Sequence, residues 1–348
     1  MLKSKCVILA VITLSVLTAC VGLYFFRRRS AAEPTLRFVS IIYRHGDRAP
    51  EFSYPLDPYK GDSFWPEGLG ALTQKGKIRM YQLGKFLRYR YDGLLSSTYK
   101  AAETSVISSH RARCIMSAQL VLAGLYPPEG IQIWNQDLPW QPIPVHSLSD
   151  PCDDIIRVTK RCALLSKEFK ARNVFIQKIV DNEHELLMYL SNSTGFNVKG
   201  LNDIINIYDN LKVVEEQGFP LPNWVRDDYR NKMHSLAMIG YLHLYKPPIM
   251  VRLQSGVLIN EILSSMKQKS NPLNNFHRRL NMYSAQDRTL LYLWRGLNIS
   301  QEIFESPPYG SAIIIELHEM KNNYRVKILL KKGDIDGDIH FNNSRLQK

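Results

Sequence analysis

Leu36-Arg37-Phe38-Val39-Ser40-Ile41-Ile42-Tyr43-Arg44-His45-Gly46-Asp47-Arg48-Ala49-Pro50 is the stretch on which the reading of the fold turns. Its β-branched and aromatic residues predict a buried strand, and Gly46 and Pro50 punctuate its end. The polar cluster Arg44, His45 and Arg48 therefore falls at the carboxyl edge of a strand, where open α/β sheets bind ligands. Two guanidiniums are permanently charged donor forks matched to phosphate oxygens, and a neutral imidazole between them can attack phosphorus and carry the phosphoryl group. Nearby positive charge disfavours the imidazolium and keeps that nucleophile free. The plainer alternative is a strand end with a solvated basic turn.

Outward from this stretch, the chain alternates. Residues 57–70 are rich in Pro, Gly and aromatics, a loop expected to lie over the site. Thr73 then offers an N-cap, and Met80, Leu83 and Leu87 mark the apolar face of a helix. A strand at 105–109 and a helix at 113–125, closed by Pro127-Pro128, complete the α/β signature. From about 151 to 245 the pattern is helical and strand-poor, with helices over 183–190, 201–216 and 227–245, which predicts an inserted cap. A helix at 253–267, a strand at 280–284, a helix at 288–297 and strands at 311–317 and 324–330 return to the sheet. The expected division is a leader over 1–34, a discontinuous α/β domain over 35–150 and 246–332, a helical cap over 151–245, and a polar tail over 333–348.

A length of 348 residues with 45% hydrophobic and 22% charged residues fits one or two globular domains. The net charge of +13 points to an anionic partner. The basic residues form no long run beyond Arg27-Arg28-Arg29, and no nucleic-acid-binding signature is present, so nucleic acid is not the expected partner. Residues Cys6 to Phe26 are apolar apart from Thr13, Ser15 and Thr18, enough to cross a bilayer as a signal-anchor. Ser30-Ala31-Ala32 leaves a cleaved signal peptide open. Either way the body is expected in the secretory pathway, and the glycosylation tripeptides at Asn192, Asn298 and Asn342 suit that compartment. Outside the leader the cysteines are Cys114, Cys152 and Cys162, an odd number; Cys152 and Cys162 can close a short loop. No metal or other cofactor is expected: no C-x-x-C pair occurs, and the histidines do not cluster. His184-Glu185 lacks a zinc-protease partner histidine, and Asp334-Ile335-Asp336-Gly337-Asp338 resembles a calcium loop over five residues only.

Arg44-His45-Gly46-Asp47-Arg48-Ala49-Pro50 matches R-H-G-x-R-x-P, and the chain resembles the histidine acid phosphatases, branch 2 of the histidine phosphatase superfamily. The likeness extends through Leu72-Thr73-Gln74-Lys75-Gly76, Met116-Ser117-Ala118, Tyr126-Pro127-Pro128-Glu129-Gly130, Gln254-Ser255-Gly256 and Ser284-Ala285-Gln286-Asp287, covering about residues 36–330. It implies an α/β fold with a mostly parallel central sheet flanked by helices, phosphoglycerate-mutase-like, plus the helical cap. It implies a phosphate monoester substrate and a phosphohistidine at His45. Arg44 and Arg48 would bind phosphate, Asp287 would act as general acid once protonated, and a homodimer is left open. It also implies that Cys152 or Cys162 pairs with a C-terminal cysteine that this sequence lacks.

Two positions depart from the pattern. Gln286 stands where the family has a phosphate-binding histidine; an amide still donates a hydrogen bond but never becomes cationic. The loss of a charge-assisted contact is worth about 1.5 to 3 kcal/mol, or about tenfold to a hundredfold in rate. A third phosphate-binding arginine is expected beside Ser108, where Ile107 stands, with His110 or Arg111 as the nearest replacement charge. Two readings follow: an acid phosphatase, of reduced activity, or a catalytically inactive secretory or membrane-anchored binding protein of the same fold.

Overall fold

The computed structural model describes residues 32–149, 153–156, 162–245, 247–299, 306–321, 323–333 and 344–345. The leader span Cys6 to Phe26, Cys152, Asn342 and the calcium-like loop lie outside the described residues. Among the described residues no helix is long and apolar enough to cross a membrane.

Strand β1 (Leu36–Arg44) is buried along almost its whole length because it has a neighbour on each side. It pairs in parallel with β4 (Leu280–Ala285) and antiparallel with β5 (Ala312–Met320). Beyond β4 lie β2 (Thr104–Ser109) and the edge strand β3 (His146–Leu148), both parallel. Beyond β5 lie β6 (Asn323–Lys331) and the two-residue β7 (Ser344–Arg345), both antiparallel. The sheet is thus mixed, in the order β3-β2-β4-β1-β5-β6-β7, with the parallel strands forming one contiguous block. Of the expected polar tail, Ser344 and Arg345 are strand-paired to Lys327 and Ile328.

Helices cover both faces. Helix α1 (Gln74–Arg90) starts at Thr73, whose hydroxyl accepts from the Gly76 amide, and buries Met80, Leu83 and Leu87 on the sheet. It packs beside α2 (Ala112–Leu125) at a glycine-to-glycine approach: a Cβ on Gly84 would lie 2.1 Å from the Val121 carbonyl, and one on Gly124 2.3 Å from that of Tyr81. The other face is covered by α7 (Pro248–Ser270) and α8 (Asp287–Gly296), with Leu258, Ile262, Leu290 and Leu293 in one apolar cluster with Ile42 and Tyr283.

Between β3 and α7 the chain forms α3 (Ala163–Val180), α4 (His184–Thr194), α5 (Leu201–Glu216) and α6 (Asp227–Tyr245). They enclose their own apolar cluster, which includes Ile176, Leu186, Leu190, Ile204, Ile207 and Met233. The sequence reading gives no separate helix for α3, whose exposed Phe175 and Val174 blur its apolar period. The 57–70 loop stacks Tyr59 on Phe219 at 5.1 Å and sets Phe64 and Trp65 edge-on to the same ring, which docks it on this helical layer.

The turn after β1 is seated directly on the start of α1. A Cβ on Gly76 would lie 2.1 Å from the Asp47 carbonyl oxygen, and one on Gly46 would lie 2.5 Å from that of Gly76. Backbone meets backbone there, so no side chain can yield. Gly76→Ala is expected to destabilise the protein by about 1 to 3 kcal/mol through overpacking and to displace the His45 turn; urea unfolding checks the first effect. Unchanged stability would mean that this contact is loose in solution.

Candidate active site

The carboxyl ends of β1, β2 and β4 lie side by side, and each delivers a charged or polar group to one place. Strand β1 ends in Arg44 and runs into His45. Strand β2 leads into α2, whose first turn carries Arg113. Strand β4 leads through Gln286, the N-cap residue of α8, into Asp287. Register pairs Arg44 with Ala285 and Ser108 with Ser284, so these exits are adjacent.

His45 is buried. Its Nδ1 lies 2.8 Å from the carbonyl oxygen of Gly46. A carbonyl only accepts, so Nδ1 carries the proton and Nε2 presents a lone pair. Arg113 Nε donates to that Nε2 at 3.0 Å. Burial, Arg113, Arg44 and Arg48 all hold the imidazole pKa well below its ordinary value, against the opposing pull of the Gly46 carbonyl. The ring is therefore a neutral base with its reactive nitrogen facing cations.

Each surrounding guanidinium is pinned. Arg44 donates from Nη1 to the Pro307 carbonyl at 2.5 Å, sits 4.0 Å from the centre of the Tyr309 ring, and lies 3.4 Å from the Asp287 carboxylate. Arg48 donates from Nη2 to both oxygens of Asp209, at 2.9 and 3.1 Å, and from Nη1 to the Ala49 carbonyl. Arg113 donates from Nη2 to Glu51 at 2.5 Å. The Nε of Arg44, the Nε of Arg48 and the Nε2 of Gln286 are buried donors without a hydrogen-bond acceptor among the described residues. Buried donors of this kind are satisfied by a ligand or by water.

Two sequence expectations change here. Ile107 is not a site position: its side chain packs with the Ile42 and Tyr283 cluster on one face of the sheet. The third guanidinium comes from Arg113, six residues on, while His110 and Arg111 are exposed. Helical phase is the signal that picks Arg113. It lies one turn before Ser117, whose hydroxyl accepts from the Gly46 amide at 3.2 Å, so both residues face the His45 turn. Asp287 is the second change. Burial pushes its carboxyl up, but Arg44, Arg288 and the Arg288 amide outweigh that and hold it well below the usual carboxylate range. In the resting site the expected proton donor is ionised.

A cleft of about 470 Å³ opens over Arg44, Asp287 and Tyr309. It is also lined by Tyr208, Asp209 and Lys212 of α5 and His234 of α6, with Tyr208 and His234 hydrogen-bonded at 2.7 Å. Asp209 was not singled out from the sequence. Neither was Arg79, which pairs with the buried Asp47 at 2.5 Å and braces the turn that carries Arg48. Cys114 is a buried free thiol beside the site, pushed up to about 12 by burial; Cys162 is a free thiol whose sulfur accepts from the Leu165 amide at the start of α3.

A strand-end histidine with a protonated Nδ1, ringed by guanidiniums at the carboxyl edge of a mixed α/β sheet, defines the class of the histidine phosphatases. The chain belongs to the histidine phosphatase superfamily, branch 2, whose family model matches residues 35–331. Bovine prostatic acid phosphatase is 38% identical over 300 residues, covering 84% of this chain and 76% of that protein. Lysosomal acid phosphatase from Xenopus laevis is 35% identical over 326 residues, covering 91% and 74%. The Citrobacter braakii phytase structure shares the fold with a TM-score of 0.63 at 18% identity, covering 86% of each chain.

His45 is expected to remain neutral in an NMR titration down past the ordinary histidine value of about 6.5. Arg113→Ala removes a cation that lowers its pKa, and His45 should then titrate at a higher pH than in the wild type. A wild-type His45 that titrates at or above about 6.5 would contradict this electrostatic picture.

Proposed function

We propose that this protein is an acid phosphomonoesterase that works through a phosphohistidine at His45. The observation that carries the reading is the neutral His45 Nε2 set among Arg44, Arg48 and Arg113. The ester phosphate would enter with its oxygens on the three guanidiniums and on the Gln286 amide, displacing the Arg113 contact from Nε2. Nε2 then attacks phosphorus in line, the bond to the leaving oxygen breaks, and the Nδ1–H···O=C bond to Gly46 supports the charge that develops on the ring. Asp287, at the N-terminus of α8 and beside the cleft, is the group placed to give the leaving oxygen its proton. The anionic phosphate on Arg44 would neutralise the main cation that holds Asp287 ionised, which raises its pKa on binding. Acid pH favours the same protonation, and the depressed His45 tolerates acid because it stays unprotonated there. Water then hydrolyses the phosphohistidine with Asp287 as base.

The binding-protein reading is favoured by one observation, Gln286 in place of a cationic donor. Hydrolysis of a generic aryl phosphate at acid pH separates the two. For the compartment we infer the secretory pathway, from the apolar leader and from Asn192 and Asn298, both exposed.

His45→Ala should abolish turnover with the fold intact, and quenched wild-type enzyme should carry acid-labile phosphate on His45. Turnover that survives the substitution, or acid-stable label on a serine, would sink the mechanism. Gln286→His should raise kcat/KM by up to about tenfold, mainly in kcat, because a charged donor strengthens as charge builds on the transferring group. A change confined to KM would place position 286 outside the transition-state contacts.

A further inference from the structure

Glu51 touches two of the three guanidiniums that ring His45. Its Oε1 accepts from Arg113 Nη2 at 2.5 Å and lies 3.6 Å from Arg48 Nε. The backbone leading into it is fixed by the Ala49 amide donating to Ala71 O at 2.8 Å and the Gly70 amide donating to Pro50 O at 2.8 Å. The carboxylate is half exposed, whereas the Arg113 and Arg48 side chains are 11% and 7% exposed, so Glu51 reaches inward from the rim of the site.

The three arginines are not equally secured. Arg44 has a carbonyl, an aromatic face and Asp287; Arg48 has both oxygens of Asp209 and the Ala49 carbonyl. Arg113 has two hydrogen bonds among the described residues, one to His45 Nε2 and one to Glu51. The first cannot survive binding, because the Nε2 lone pair that accepts it is the one that must face phosphorus. Once a phosphate takes that place, Glu51 is the contact that keeps the Arg113 fork turned toward the nucleophile. An arginine left to itself would hold its rotamer freedom until binding and would be repelled by Arg44 and Arg48.

We propose that Glu51 is a positioning residue that anchors Arg113 in the geometry that grips the phosphoryl group. This rests on the phosphate-site reading above. Glu51 takes the Nη2 of Arg113, while the Nε of the same guanidinium stays directed at His45, where the phosphate would sit.

The test is a double-mutant cycle read as inorganic phosphate affinity, by calorimetry on the full chain at mildly acidic pH. Glu51→Ala, and the isosteric Glu51→Gln should Ala perturb folding, are expected to weaken phosphate binding about three- to fivefold, the scale of a half-exposed ion pair. In an Arg113→Ala background the same change should have little further effect, because the group that it positions is gone. Tighter phosphate binding by either Glu51 variant would show the carboxylate to be a competitor and overturn the proposal. Equal losses in the two backgrounds would place its role elsewhere and overturn it too. Wild-type protein that binds no phosphate would sink both this proposal and the proposed function. Phosphate binding with the expected coupling, but without aryl phosphate hydrolysis, would leave Glu51 as assigned and defeat the hydrolase reading alone.

Discussion

Three guanidiniums crowd one buried imidazole, and much of the surrounding structure holds that repulsive arrangement in place. Each cation has a carboxylate from a different part of the chain: Asp287 of α8 for Arg44, Asp209 of α5 for Arg48, and Glu51 of the β1 exit loop for Arg113. Like charges cannot be gathered in a low-dielectric site without such counter-charges. Among the described residues the pairing leaves the Nε donors of Arg44 and Arg48 without acceptors, as the proposed phosphate site requires. Burial and the field of the same cations keep His45 a free base.

The sheet places these groups before any side chain is considered. Three adjacent parallel strands end at one edge, and two of them run directly into helices whose first turns bring Arg113 and Asp287. Helix N-termini add partial positive charge at that edge. Close glycine packing between Gly46 and Gly76 then fixes the height of the His45 turn above α1. The helical layer enters through Asp209, Tyr208 and His234, so it contributes both a counter-charge to Arg48 and part of the lining of the cleft that Asp287 also lines.

Much of this was legible in the sequence, and the reasons differ by residue. His45, Arg44 and Arg48 sit in one continuous stretch, and Gln286-Asp287 follows a strand whose apolar run is plain, so local pattern sufficed. Arg113 was missed because strand reasoning favoured Ile107, next to Ser108, whereas the group arrives from the following helix; only its phase with Ser117 selects it among three basic residues. Asp209 and Glu51 carry no local signal. Each gains meaning from a neighbour distant in sequence, 161 residues for Asp209 and 62 for Glu51. The resting charge of Asp287 was also beyond sequence reading, since it is set by Arg44 and Arg288 against burial.

On the proposed mechanism, a phosphoryl group in flight is bonded at His45 Nε2 and held by three guanidiniums. A crystal structure with orthovanadate, a trigonal-bipyramidal mimic of that group, measures this directly. The expected result is vanadium bonded to His45 Nε2, its equatorial oxygens within hydrogen-bond distance of Arg44, Arg48 and Arg113, and the Asp287 carboxyl facing the apical oxygen. Vanadate seated away from His45, or held there with Arg113 still hydrogen-bonded to Nε2, would contradict the site as described.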